Sequence, residues 1–304
     1  MNFKSIYIVG PTGVGKSDLA INLALKLNSE VINTDSRLFY KGLDIGTSKP
    51  TKLDQNKVKH HLIDFLSPID EFSLFEFLER CKQITTNLKS CNRAPVLVGG
   101  SGQYFKALVE NWEVSEVPPD KELRNKLTNL IKEKGVDEFY NKLVKKYPQN
   151  ALNIDSKNPR RLIRAFELGV YGVVKSESKK VYKDHYNVFG ITMERQMLYE
   201  VVDKRIDTMI QNGWIDEVKD LVNDGSVNLN HSFSSIGYSD IYSYILGDID
   251  MPEALLNIKK KTRNLIRHQY NWFKLSDPNI KWFDISSSDI NIITENIIGE
   301  LNGN

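Results

Sequence analysis

Near the amino terminus, Gly10-Pro11-Thr12-Gly13-Val14-Gly15-Lys16-Ser17 limits what this 304-residue chain can fold into more than any other feature. It fits G-x-x-x-x-G-K-[ST] at every fixed position. The apolar run Phe3–Val9, with β-branched Ile6, Ile8 and Val9, predicts a buried strand before it. Leu19, Ala20, Leu23, Ala24 and Leu27 fall at helical spacing and predict a helix from Lys16. In that context the glycines let backbone amides curl around an anion, and the helix amino terminus adds a positive dipole end. Lys16 supplies a mobile cation, and the Ser17 hydroxyl can hold Mg2+. A bound di- or triphosphate follows, but its fate does not, because kinases, hydrolases and pyrophosphate-expelling transferases share the motif.

Further strands are expected at Val31-Ile32-Asn33, Pro95–Val98 (running into Gly99-Gly100-Ser101-Gly102) and Asn187–Met193, with helical spacing over 195–223 and 252–274. The fold class is therefore α/β, a P-loop-type parallel sheet flanked by helices, with ligands at the carboxyl ends of the strands. Val117-Pro118-Pro119-Asp120 breaks the pattern and a Lys-rich helical stretch follows. The expected organisation is a catalytic core from 1–115 and 185–304 with an inserted helical subdomain at 116–184, the last fifteen or so residues being a short appendage. Trp112, Trp214 and Trp272 are expected in the core, and Leu265, Ile266, Trp272 and Phe273 form a candidate buried stripe.

Net charge is only +2, but it is segregated. Residues 157–183 carry Lys157, Arg160, Arg161, Arg164, Lys175, Lys179, Lys180 and Lys183 against Glu167 and Glu177, a balance of +6. Residues 259–274 carry Lys259, Lys260, Lys261, Arg263, Arg267 and Lys274 with no acid, another +6, so the rest must sum to −10. Two basic segments of this kind suit a polyanion, whose condensed counterions are released on binding; solvated helix faces are the plainer alternative. Cys81 and Cys91 form no Cys-x-x-Cys pair and the five histidines are scattered, so neither a disulfide framework nor a zinc site is expected. No eighteen-residue apolar run occurs, and the leading apolar stretch is too short for a signal peptide, which predicts a cytosolic protein without membrane contact.

Asp35, in Thr34-Asp35-Ser36 after the second strand, falls at the carboxyl edge of the sheet beside the phosphate turn. There it can accept a proton or hold magnesium through water; equally, it can cap a helix. Ser101, after Gly99-Gly100, faces the same crevice. Arg205, within Val201–Asp207, reads from its neighbours as a surface helix charge.

Taken in order, Gly10–Ser17, Asp35–Pro50 (DSRLFYKGLDIGTSKP), His60-His61-Leu62-Ile63-Asp64, Val98–Ser101, Asn158–Ala165 (NPRRLIRA) and Gly237-Tyr238 closely resemble the tRNA dimethylallyltransferases, over nearly the whole chain to Trp272-Phe273. The resemblance implies attack by the exocyclic amine of the adenosine 3′ of the anticodon on dimethylallyl diphosphate, in tRNAs reading codons that start with U, with Mg2+ as cofactor and diphosphate as leaving group. It implies catalytic roles for Asp35, Ser101 (where threonine is usual) and Arg205. It also implies contact of Asp35, Ser36, Arg37, Leu38, Ser101, Arg124, Arg160, Arg161, Leu162, Ile163, Arg164, Arg263 and Arg267 with a tRNA anticodon stem-loop, and a monomeric enzyme. The adenine must be flipped out of its stack to react. Gly13-Val14, Arg37-Leu38-Phe39 and His268 depart from the usual pattern without removing any of these groups. Rival readings are an adenylate isopentenyltransferase acting on a free nucleotide, a P-loop small-molecule kinase, and a non-catalytic RNA-binding clamp.

Overall fold

The computed structural model describes residues 4–174, 185–225 and 234–303. Phe3 of the first expected strand and Lys175, Lys179, Lys180 and Lys183 of the first basic segment lie outside the described residues. The chain divides into two compact units, one comprising residues 1–72, 78–110 and 182–304, the other 73–77 and 111–181.

In the first unit, β1 (Ser5–Val9) leads through the glycine turn into α1 (Lys16–Lys26), followed by β2 (Val31–Asn33) and a 3-10 turn at Ser36–Phe39. Next come α2 (Lys52–Lys57), β3 (His60–His61), α3 (Leu74–Ser90, whose first turn is counted with the second unit), β4 (Val96–Val98) and α4 (Gly102–Val109). The second unit then contributes α5 (Lys121–Lys134), α6 (Val136–Lys146), α7 (Pro148–Ala151) and α8 (Pro159–Val170). The chain returns with β5 (Tyr186–Thr192), α9 (Arg195–Gln211), α10 (Trp214–Asn223), α11 (Tyr238–Leu246), α12 (Met251–Trp272), β6 (Lys281–Asp284) and α13 (Ile290–Gly303).

All strand pairs are parallel and the sheet order is β3-β2-β4-β1-β5-β6. The α/β parallel-sheet class expected from the sequence is the observed one. Every residue of β1, β2 and β4 is buried, which is why these strands read as short continuous apolar runs without alternation. Their order matters for function. β2, β4 and β1 are consecutive neighbours, so the segments after Asn33, Val98 and Val9 emerge side by side along one edge.

The two-residue edge strand β3, short and polar, is not marked by the sequence pattern. One expectation fails. The carboxyl-terminal residues are no appendage: β6 completes the sheet beside β5, and α13 packs on α1 with Ile293, Thr294 and Ile297 fully buried. Ile297→Ala should therefore cost about 2–5 kcal/mol in urea denaturation, whereas Ile292→Ala, at a position 55% exposed, should stay within about 0.5 kcal/mol of the parent.

The candidate buried stripe is also corrected. Ile266 and Phe273 are buried, but Leu265 and Trp272 are each 36% exposed. Trp272 instead lies against Gly102 at the start of α4. Trp214 is fully buried and Trp112 half-buried. The second unit has its own core of Leu127, Phe139, Leu143, Leu162, Ile163 and Phe166.

Candidate active site

The turn after β1 is built as the glycine spacing demands. Gly13 and Gly15 adopt φ of 90° and 86°, in the left-handed region that favours glycine. At Gly13 a Cβ would also lie 2.5 Å from Val202 Cγ1 of α9, so this turn is both wound and roofed. Lys16 opens α1 and its Nζ donates to the Pro11 carbonyl at 2.6 Å, folding the cation back over the turn. Burial pushes its ammonium down to about 8, with the Asp35 carboxylate opposing the shift and Arg205 adding to it.

Asp35 performs the helix-cap role and still lines the cavity. Its Oδ1 accepts the Arg37 N–H at 3.0 Å, capping the 3-10 turn, while its backbone N–H donates to Asn33 Oδ1 at 2.8 Å. Asn33 Nδ2 in turn donates to the Asp35 and Leu62 carbonyls at 3.0 and 2.8 Å. From the third loop, Ser101 Oγ accepts the Ser36 N–H at 3.3 Å and joins the end of β4 to the turn after β2. Gly99 permits that approach, since a Cβ there would lie 2.6 Å from the Thr34 backbone carbon.

A cavity of about 320 Å³ collects Thr12, Gly13, Gly15, Lys16, Ser17, Asn33, Asp35, Leu38, Gly99, Gly100 and Arg205. Arg205 corrects the surface-charge reading. α9 carries it over the turn, its Nη2 donates to Thr12 Oγ1 at 3.0 Å, and its Nε is buried with no partner among the described residues. Burial lowers its pKa from the usual arginine value. A half-buried guanidinium and a half-buried ammonium beside the glycine turn make an anion-selective seat.

The Asp35–Pro50 block is fastened from below. Glu217 accepts the Asp44, Ile45 and Gly46 N–H groups at 2.9, 2.6 and 3.2 Å, and the Tyr238 hydroxyl at 2.7 Å. Lys49 Nζ donates to the Tyr40 carbonyl at 2.7 Å and pairs with Asp44 and Asp64. His60 and His61 are structural: His60 Nδ1 meets the Val58 carbonyl at 2.7 Å and His61 Nε2 meets Glu30 at 2.5 Å. Gln269 is the residue that sequence reasoning missed. Its side-chain amide, 4% exposed, bonds both the glycine turn and the third loop, and only its place in a basic helical segment marked it in the sequence.

Within the second unit, Asn158 accepts the Arg161 N–H and Pro159 opens α8. Arg160 and Arg161 are exposed. Leu162 and Ile163 place their side chains in the core, 0% and 9% exposed, because the inward face of α8 packs on α5 and α6. Arg124 and Arg164 are engaged as well. Glu167, fully buried, takes Arg124 Nε and Nη2 at 2.9 and 2.8 Å and pairs with Arg164, which also donates to the Val117 carbonyl at 2.8 Å. Along α12, Lys259, Lys261 and Arg263 pair with Asp207, Asp240 and Asp203, and Arg267 bonds Asn264, so the segment carries less free charge than its sum of +6 suggested.

Among the described residues no helix is long and apolar enough to cross a membrane, and no group of three or more His, Cys, Asp or Glu side chains is placed to hold a metal.

A family model described as IPP transferase matches residues 38–276. The tRNA dimethylallyltransferase of Natranaerobius thermophilus is 38% identical over 299 residues, covering 96% of this chain and 90% of that protein. Among solved structures, a full-length tRNA isopentenylpyrophosphate transferase from Bacillus halodurans superposes with a TM-score of 0.72 at 35% identity, covering 99% and 97% of the two chains. A eukaryotic dimethylallyltransferase described as acting on tRNA gives 0.76 at 25% identity, covering 95% of this chain and 75% of its own.

Proposed function

This chain belongs to the IPP transferase family, and from that premise we propose that it is a tRNA dimethylallyltransferase using dimethylallyl diphosphate as donor and the adenosine 3′ of the anticodon as acceptor. The observation that carries the reading is the single cavity lined by the glycine turn, Lys16, Arg205 and Asp35. The exocyclic amine forms an N–C bond to the allylic carbon as the C–O bond to diphosphate breaks. Asp35 takes the amine proton, and Lys16, Arg205 and the turn amides hold the negative charge that develops on the leaving group. Ser101 fixes the turn that presents Asp35.

The donors fit magnesium: the cavity offers the Ser17 hydroxyl and the Asp35 and Asp18 carboxylates, hard oxygen ligands. When bound through Ser17, Mg2+ would neutralise part of the diphosphate charge. A monomer acting in the cytoplasm, on tRNAs reading codons that start with U, completes the proposal.

The second unit is assigned to the anticodon stem-loop, with Arg160 and Arg161 as phosphate contacts. Replacing both by alanine should lower the slope of log affinity for tRNA against log salt by about two while leaving the melting temperature unchanged, since both are exposed. An unaltered slope would take α8 out of the interface. The decisive experiment offers labelled dimethylallyl diphosphate with tRNA or with AMP. Label in tRNA is the expected result, label in AMP alone would make the chain an adenylate isopentenyltransferase, and no transfer to either would end the prenyltransferase reading.

A further inference from the structure

We propose that Gln269 is a positioning residue for the transfer reaction assigned above, on which this inference rests: it holds the diphosphate turn and the Gly99-Gly100 loop beside Asp35 in one fixed register. Its Oε1 accepts the Thr12 N–H at 2.9 Å and its Nε2 donates to the Gly100 carbonyl at 3.2 Å. A primary amide accepts at one end and donates at the other, so the two partners specify both ends of the side chain. Gly100 sits between this amide and the carboxylate: a Cβ there would lie 2.3 Å from Gln269 Nε2 and 3.7 Å from Asp35 Oδ2.

The arrangement also redefines the phosphate seat. Thr12 is held twice, through its N–H by Gln269 and through its Oγ1 by Arg205. Its amide is therefore unavailable to an anion, which leaves the cradle to the segment from Gly13 to Ser17. One side chain from α12 thus joins the part of the cavity that grips the leaving group to the part that meets the amine. Removing it strands a half-buried N–H and a buried carbonyl and lets the two loops shift independently.

The test compares the full-length parent chain with Gln269→Leu and Gln269→Glu. Single-turnover transfer from labelled dimethylallyl diphosphate to tRNA is followed across the neutral pH range, beside tRNA affinity. Gln269→Leu should slow transfer by about 10- to 100-fold, the loss expected from a misplacement on the order of 1 Å, with tRNA affinity unchanged. In Gln269→Glu a protonated carboxyl group would accept from Thr12 and donate to Gly100, whereas the ionised form cannot donate. The rate of Gln269→Glu relative to the parent should therefore rise as pH falls, while that of Gln269→Leu relative to the parent stays flat. A merely structural contact would not produce this contrast. Should Gln269→Leu fail to fold, the pH response of Gln269→Glu decides alone. Parent-like rates in either variant, or a pH-independent ratio for Gln269→Glu, would overturn the inference while leaving the reaction intact. A parent chain that transfers no label would overturn the reaction and this inference with it.

Discussion

Asp35→Asn should lower single-turnover transfer roughly 100- to 10,000-fold, the usual contribution of a positioned general base, while tRNA affinity and melting temperature stay at their parent values. The substitution is chosen because asparagine separates the observed cap from the proposed proton transfer. The Oδ1 bond to the Arg37 N–H caps the 3-10 turn, and an asparagine oxygen caps as well as aspartate does. The backbone exchange with Asn33 is indifferent to the side chain. What asparagine cannot do is take a proton from the attacking amine. Asp35→Ala should show the same catalytic loss plus about 0.5–2 kcal/mol of lost stability from the missing cap. Parent-like turnover in the asparagine variant would remove this carboxylate from proton transfer.

Lys16→Met should cost roughly 100- to 1,000-fold in the transfer step, as expected for deleting one preorganised group at a site of developing negative charge. The parent's pH dependence gives an independent check. Because burial holds the Lys16 ammonium near 8, the free protein carries the charge below that pH and loses it above. A bound diphosphate favours the charged form, so affinity for dimethylallyl diphosphate should be flat below about pH 8 and weaken above it, by at most about tenfold per pH unit. Titration calorimetry on the parent and on Lys16→Met checks this: the methionine variant should bind weakly with that slope gone. A parent affinity that holds steady well above pH 8 would mean the lysine is not the responsible cation.

What the sequence disclosed divides along a physical line. The glycine turn, the strand before it and the helix after it are local, so spacing alone located them. Asp35 was legible as either cap or reactive carboxylate, and the two readings proved compatible because one oxygen suffices for the cap. Arg205 was not legible as a cavity residue from its neighbours, since Asp203, Lys204 and Asp207 make the segment look like a solvated helix face. Its partner Thr12 is 193 residues away, and only the packing of α9 over Gly13 brings them together. Gln269 was hidden for the same reason. α13 was misread because an Ile- and Asn-rich tail has no evident partner until the apolar face of α1 is known to be uncovered. Arg164 counted as free charge because a sum along the chain cannot see the buried Glu167 that draws it, with Arg124, inward.

Because the turn assigned to the diphosphate follows β1 and Asp35, the proposed proton acceptor, follows β2, with β4 lying between them, the sheet itself acts as a ruler. Two inter-strand spacings, roughly 10 Å, set the backbone span between these stations. That length is dictated by ladder hydrogen bonds and not by any side chain, so it is the same before and after substrates arrive. Variation in which prenyl donor or which neighbouring nucleotide is accepted must then be written into the cavity walls, at positions such as Leu38, because the gauge between the two reacting partners is not adjustable.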